Sequence, residues 1–579
     1  MTDKLDQLGQ DAEFDVVVVG AGNAGMSAAL FAAMDGARVL LVERTGYVGG
    51  SSAFSAGTTW IPNTRHGAAV NQDDTPGAVR RYLDLAVGDR APAALREAFI
   101  QNGAKAVERI EGGSEVKYRA RPFHPDYISD LEGSTLRGRS LEPLPFDGRK
   151  LGDAFRLVRP PIPEFTVLGG MMVDRDDIAH LLNMKHSLKS LAYSIGIIGR
   201  HAMDRLKYPR GTRLVMGNAL IARLLYSLIQ RGVTILCNTE LEGIERGASG
   251  IEAVTLKQQG TQARIAVGRG LILASGGFNR HPQRRAEMLP GANPEWCPGA
   301  PGHTGRAQDL ALEIGAHFGS GGLSNAFWAP VSVRKRKDGS TAVFPHFLMD
   351  RGKPGMIVVN QQGRRFLNET TSYHLFGIAM QAANQDVPSI PAYLVTDQAA
   401  LRRYGLGMVR PGGKGLAPFL ADGYLVQADT LDALAAKLGV DPVNLKDSVA
   451  KNNEYARTGV DPDFHRGETD YQKGNGDATW PGPNPTLGSI EQGPFYAVRL
   501  YPGDIGAATG LVTDELARVL DKDGQPISGL YACGNDMHSI MGGTYPGPGI
   551  TLGPGLTFGY IAGTHAAGRA VQPGQAAVA

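Results

Sequence analysis

The chain is poor in cysteine. Its three, Cys237, Cys297 and Cys533, stand far apart and form no CxxC pair. That spacing excludes a disulfide framework and a zinc ribbon, and it fits a reducing compartment. No other spacing of His, Asp or Glu reads as a metal site. Excess charge of one sign is also lacking: 59 Lys and Arg face 57 Asp and Glu, leaving +2. No global field therefore recruits nucleic acid. No apolar run reaches the ~18 residues of a membrane-crossing helix. Residues 1–13 are polar and acidic, unlike a signal peptide. A cytoplasmic location is the expectation. What abounds is glycine, 77 of 579 residues, without a collagen-like period. Such an excess points to tight turns and close backbone–ligand approaches. A chain of this length predicts two or more domains.

Phe14 to Val19 is a β-branched apolar run that reads as a buried parallel strand. It leads into Gly20-Ala21-Gly22-Asn23-Ala24-Gly25. An alanine-rich helix, Met26 to Met34, and a second strand, Ala37 to Val42, follow, and the strand ends in Glu43. Strand, GxGxxG, helix, strand and acid make a dinucleotide-binding fingerprint. Its glycines permit the turn and the pyrophosphate approach, and Glu43 is placed for ribose hydroxyls. A second small-residue loop comes soon after: Arg44, then Gly49-Gly50-Ser51-Ser52, then Ser55-Ala56-Gly57. A nicotinamide dehydrogenase has no need of it. It resembles the flavoprotein pattern, in which this loop runs along the pyrophosphate toward the flavin ring. Two further strand-to-glycine turns fit the same ligand. One carries Ala274 and Gly276, and the other carries Gly534 and Asp536, with Asp536 expected on the ribityl chain. Val233 to Leu241 is read as the strand beside the adenine. Ile550 and Leu552 complete the expected cofactor set, and FAD is the expected cofactor.

The predicted fold is α/β: a Rossmann-like FAD-binding domain with an inserted α+β substrate domain. Residues 1–278 and 493–579 form the first, and 279–492 the second. Lys473 to Gly493, rich in Gly, Pro and Asn, is taken as the exit linker. The active site is expected where the domains meet. Leu181, Met184, Leu188, Leu191, Ile195 and Ile198 are spaced 3-4-3-4-3, a helical stripe among basic residues near 181–213. The preferred reading packs this stripe on the chain itself or on a partner subunit. The alternative is peripheral contact with an anionic membrane.

Near the C-terminus stands Gly542-Gly543-Thr544-Tyr545-Pro546-Gly547-Pro548-Gly549. The GAGNAG turn, the loop GGSSAFSAG, the stretch Asn360 to Glu369 (NQQGRRFLNE) and this loop together resemble the fumarate reductase/3-ketosteroid dehydrogenase flavoprotein superfamily. The likeness covers essentially the whole chain. Fumarate-type members carry arginine shortly after the glutamate and again in the C-terminal loop. Here Tyr373 and Tyr545 stand there instead. Dicarboxylates want guanidinium forks, so a neutral ketone is the expected substrate. The ketosteroid Δ1-dehydrogenase branch implies specific roles. Tyr545 and the Gly549 N–H would hold the ketone oxygen. Tyr373 would take the α-proton, and Tyr127 would support it, with Tyr118 close by in sequence. A hydride would pass to flavin N5. His374 and the Arg365–Glu369 pair are read as structural, and Phe327-Trp328 as pocket wall or core. A Δ4-(5α)-dehydrogenase, a fumarate- or enoate-type reductase and a flavin-binding electron relay are the competing readings. No motif identifies the electron acceptor.

Overall fold

The computed structural model describes residues 4–9, 12–347 and 350–571. Strand β1 (Ala12–Val19), helix α1 (Asn23–Met34) and strand β2 (Val39–Val42) open the first layer. Every residue of β2 and the four valines of β1 are buried, as a sheet covered on both faces requires. Further along, after three helices and several short strands between residues 59 and 172, stand helices α2 (Arg175–Asn183), α3 (Leu188–Asp204) and α4 (Met216–Gln230). Four strands then follow: β3 (Thr234–Leu236), β4 (Thr239–Gly247), β5 (Gly250–Gln258) and β6 (Thr261–Leu273). The parallel core is ordered β3-β2-β1-β6, and β4 and β5 extend it antiparallel from β6.

The chain then leaves this sheet. Strands β7 (Ala326–Lys335), β8 (Thr341–Pro345), β9 (Met356–Val359), β10 (Ala392–Asp397), β11 (Leu425–Ala428) and β12 (Phe495–Ala507) build a second sheet. It is antiparallel throughout and ordered β8-β7-β12-β10-β9, with β11 also on β12. Helix α5 (Tyr373–Asp386) packs across β7. The chain returns through β13 (Arg518–Leu520) and β14 (Pro526–Ala532), and β14 pairs parallel with the end of β6. Helix α6 (Leu552–Ala566) closes the layer against α1.

An α/β fold with a dinucleotide-type parallel sheet and a second sheet inserted in the chain is therefore present. The expected exit at 492 needs correction. β12 starts at Phe495 and is the strand on which most of the second sheet pairs. The Gly/Pro-rich stretch before it is fastened to that sheet, since Asp397 accepts from the N–H of Glu491 at 3.1 Å and of Gln492 at 3.3 Å.

The α1–α6 contact depends on missing side chains. Gly555, Gly559 and Gly563 recur every fourth residue and face α1. A Cβ on Gly559 would lie 2.8 Å from Ala24 O, and one on Gly563 2.3 Å from Ala28 O. The two backbones meet as closely as helices can.

The stripe predicted in α2–α3 is a helical stripe, broken by a fresh N-cap at Ser187. It does not enter this chain's core. Leu188 is 85% exposed and Ile195 60%, and none of the six apolar positions is buried. The buried positions of α3 are Ser190, Ser194, His201 and Asp204. Hydrogen bonds of Ser190, His201 and Asp204, rather than apolar burial, fasten the helix.

Candidate active site

One cavity of about 840 Å³ runs from the β1–α1 turn to β7 and β12 of the second sheet. Its first end is backbone-rich. Gly20 has φ +105°, and a Cβ there would sit 2.2 Å from Ala274 O. β1 can pass β6 only with hydrogen at that position. Gly25 is a packing glycine, its virtual Cβ 1.9 Å from Gly20 O. Gly22 caps α1 without a side chain, so the first helical N–H groups face the cavity, as an anion site requires. Around this turn the small residues interlock. Asn23 N donates to Ser52 Oγ at 3.2 Å, Ala300 N to Ser51 Oγ at 2.8 Å, and Asn23 Nδ2 to Leu552 O at 3.0 Å. Glu43 accepts from Ala21 N at 3.1 Å and Thr45 Oγ1 at 2.7 Å. Arg44 donates to Thr304 Oγ1 at 2.6 Å.

Most of the expected cofactor residues line this end: Gly20, Gly22, Asn23, Ala24, Glu43, Arg44, Gly50, Ser51, Ser52, Ser55, Ala274, Gly276, Gly534 and Leu552. Four lie off the wall. Gly25 and Gly57 are close-packed behind it, and Ile550 is buried beside it. Asp536 is fully buried and spends its carboxylate on the protein, accepting from Ser275 Oγ and Gly277 N, each at 3.0 Å. It clamps two cofactor turns together. Sequence reasoning missed His303, Ser275, Asn535 and Met216, which are also on the wall. Ser275 and Asn535 sit inside the two glycine turns already read as cofactor motifs, whereas His303 and Met216 sit in none. Met216 has φ +54°, a left-handed conformation unusual for its type and typical of functional walls.

The wall fits a dinucleotide. Asn23 Oδ1 and His303 Nδ1 are buried polar atoms without a hydrogen-bond partner among the described residues. Burial pulls His303 down to about 4, so it offers a neutral imidazole. Open donors, acceptors and glycine turns along one cavity suit FAD.

The second end is aromatic. Tyr545 and Tyr373 are buried, and Tyr127 is nearly so. The Tyr127 and Tyr373 hydroxyls are 3.3 Å apart. Tyr373 and Tyr545 meet edge to face at 5.1 Å, and Tyr127 stacks on Tyr545 at 5.8 Å. Phe327 and Phe347 pack on Tyr545 and Tyr373 at 5.2 and 4.9 Å. The loop's glycine is required. Gly549 has φ +96°, and a Cβ would strike Thr58 O at 2.3 Å. Its N–H makes no hydrogen bond among the described residues, so it is left for a ligand.

The three tyrosines come from separate places: a loop near residue 127, the first residue of α5 and the 542–549 loop. Tyr127, not Tyr118, joins the cluster, since Tyr118 is off the cavity wall. Burial, above all, pushes all three phenols above the ordinary tyrosine value. At this spacing they titrate as a coupled group. His374 is a clamp: its Nδ1 accepts from Trp328 N at 3.1 Å and its Nε2 donates to Gly543 O at 3.0 Å. Burial lowers it to about 4. Arg365 grips Glu369 with two 2.8 Å bonds and Asp461 with one of 2.7 Å. This pair is buried structure and does not touch the cavity. Phe327 lines the cavity, whereas Trp328 does not.

An FAD binding domain model matches residues 15–552. A 3-oxosteroid 1-dehydrogenase of Mycolicibacterium smegmatis is 37% identical, over 95% of this chain and 96% of its own. The chain belongs to the 3-ketosteroid dehydrogenase family of FAD flavoproteins. It is an oxidoreductase, and FAD is its cofactor. This flavoprotein is also 36% identical to the 4-oxocyclohex-2-ene-1-carboxylate 5-dehydrogenase of Sinomonas cyclohexanicum, over 95% and 93% of the two chains. Among solved structures it resembles a 3-ketosteroid Δ1-dehydrogenase of Sterolibacterium denitrificans in complex with 1,4-androstadiene-3,17-dione. The TM-score is 0.89 at 34% identity, covering 96% of this chain and 99% of that one.

Proposed function

We propose that this flavoprotein introduces a C=C bond next to the ketone of a 3-ketosteroid, by 1,2-desaturation. The observation that carries the reading is the tyrosine cluster beside the unused Gly549 N–H, in a chain so similar to 3-oxosteroid 1-dehydrogenases. The Tyr545 hydroxyl and the Gly549 N–H donate to the ketone oxygen, where negative charge builds as the α-proton leaves. Tyr373 takes that proton, and the Tyr127 hydroxyl steadies the phenolate through their 3.3 Å contact. Bound FAD supplies the acceptor for the hydride lost from the neighbouring carbon. The cofactor is held by the first helical turn of α1, the Ser51-Ser52 loop and Glu43.

Anaerobic mixing of holoenzyme with 4-androstene-3,17-dione should bleach the flavin and yield a product lighter by two hydrogens, with the new bond at C1–C2. 5α-Androstane-3,17-dione separates this outcome from 4,5-desaturation. A flavin that stays oxidised across a panel of steroid ketones sinks the proposal.

A second reading has its own support. Arg119, Arg121, Arg175 and Lys353 line the cavity together with Glu142 and Asp174. Arg119 and Arg121 are paired with Asp176 and Glu142, and Lys353 donates to two backbone carbonyls. The Sinomonas relative's name specifies an oxocyclohexene carboxylate, and of the four Arg175 is the cation open to an anion. A small cyclic ketone bearing a carboxylate would place its anion there. Turnover of 4-oxocyclohexanecarboxylate above that of the steroids would decide for it.

The exposed apolar positions of α2–α3 carry a further part of the proposal: this surface contacts an anionic membrane. Leu182, Leu188, Met203 and Leu206 are 66% to 88% exposed, beside exposed Lys185, Lys189 and Lys207. The start of α2 is also cavity wall, through Arg175 and Ile178, so an apolar substrate could enter directly from lipid. Among the described residues no helix is long and apolar enough to cross a membrane. Holoenzyme should float with phosphatidylserine vesicles, and the Leu188→Ser, Leu206→Ser double variant should not. Equal flotation of the two would remove the membrane from this reading.

A further inference from the structure

A second cavity, of about 540 Å³, adjoins the first. The two have Phe123 and Gly474 as common wall residues, and these two touch. A Cβ on Gly474 would lie 2.1 Å from Phe123 Cζ and 2.3 Å from its Cε1. The ring therefore rests on bare backbone, which only glycine leaves open to it. This contact is the partition between the cavities.

The partition continues the row of tyrosines. Tyr127 stacks on Tyr545 at 5.8 Å, and Tyr471 packs on Tyr127 at 5.2 Å. Tyr471 and Gly474 are three residues apart in the short helix Asp470–Asn475, a spacing that puts them on one face. Both line the first cavity. A ring system whose ketone meets Tyr545 and Gly549, and whose body passes Tyr127 and Tyr471, ends at Phe123.

One side of the partition is fixed, and the other is a single side chain. Lys353 Nζ donates to Asn475 O at 2.8 Å and to Gly476 O at 2.6 Å. Tyr471 N donates to Ser129 Oγ at 3.2 Å, and Asn475 Nδ2 to Tyr471 O at 2.7 Å. Phe123 is 37% exposed, so its bulk serves the boundary more than the core. Behind it the wall is apolar along Leu136, Trp480 and Pro485. Asp477 there is committed to Arg403 at 2.6 Å and to the Tyr404 hydroxyl at 2.7 Å, and Asp470 and Lys473 are exposed to water.

We propose that Phe123, lodged on Gly474, is a specificity-determining residue that sets the length of substrate the site accepts. It closes the cavity at the end far from the ketone and selects ketosteroids with a short substituent there. The second cavity is the apolar space that the ring withholds from a longer alkyl chain.

The inference rests on the desaturase reading above, and the two fail differently. No turnover of any ketosteroid by wild-type holoenzyme defeats that reading; turnover with an unmoved substrate preference defeats this one. The test compares kcat/KM for 4-androstene-3,17-dione with that for 4-cholesten-3-one, which carries a long alkyl chain at its far end. Wild type should prefer the first. Phe123→Ala should move the preference toward the second by about tenfold, what burying two further methylene groups yields. Phe123→Leu, a smaller cut, should move it part of the way, and Phe123→Tyr, which keeps the ring, should leave it in place. Leu136→Asp, added to Phe123→Ala, puts a charge in the second cavity and should cancel the gain. A wild type that prefers 4-cholesten-3-one overturns the proposal. So does a preference unmoved in both Phe123→Ala and Phe123→Leu, an equal shift in Phe123→Tyr, or a gain that survives Leu136→Asp.

Discussion

At the dinucleotide end the cavity wall is mainly backbone, set by glycines that tolerate no Cβ; at the ketone end it is mainly aromatic side chain on rigid supports. The first holds its ligand with N–H groups whose positions follow from the path of the chain. The second holds and reacts with hydroxyls whose positions depend on three elements far apart in sequence. Binding is therefore robust to side-chain change and fragile to added volume. Chemistry should behave the opposite way.

The largest effect should follow from adding volume at the first end. Gly25→Val places atoms on Gly20 O, where a Cβ alone would already be 1.9 Å away. It should yield protein without flavin absorbance, and a yellow, active variant would break the contrast. Next comes removal of the base. Tyr373→Phe should keep flavin and lower kcat/KM by about 10²–10⁴, read by stopped-flow flavin reduction with substrate binding retained. Tyr545→Phe should also stay yellow and lose about 10²–10³. If it loses flavin instead, the loop belongs to the cofactor end. The pH dependence has a definite sign. In the proposed mechanism the active base is a phenolate, and burial raises all three phenols. Wild-type kcat/KM should therefore climb with pH through neutrality, about tenfold per unit below the limb. A flat profile would mean another base. The smallest effect belongs to Tyr118→Phe, a buried tyrosine off the cavity. Turnover should stay within about twofold and stability within ~1 kcal/mol, checked by steady-state assay and thermal melt.

The same contrast explains what could be read in advance. The GxGxxG turn, its strands and Glu43 are local, and local sterics dictate them, so they were legible residue by residue. The tyrosine cluster was legible only through family likeness. Tyr127 and Tyr373 are 246 positions apart, and no period or spacing links them. Asp536 shows the limit of motif reasoning: its place was foreseen, but its carboxylate turned inward to tie two loops. The Gly/Pro-rich run before β12 has the composition of a linker, yet its backbone is fastened to the second sheet. In α2–α3 the 3-4-3-4-3 period predicted the helix, but the stripe does not pack into this chain's own core, because polar anchors at Ser190, His201 and Asp204 turn it outward.

The closure of the first layer by α6 has a consequence for how the molecule is made. The cradle begins at Gly20, but the helix that packs on α1, Leu552–Ala566, and the strand β14 that completes the wall leave the ribosome long after it. At roughly 5–20 residues per second, the N-terminal turn waits on the order of half a minute to two minutes for them. During that interval a nascent chain has half a cofactor site and an uncovered face of α1. Loading with flavin thereby waits for α6, and a chain cut short anywhere before it should emerge colourless.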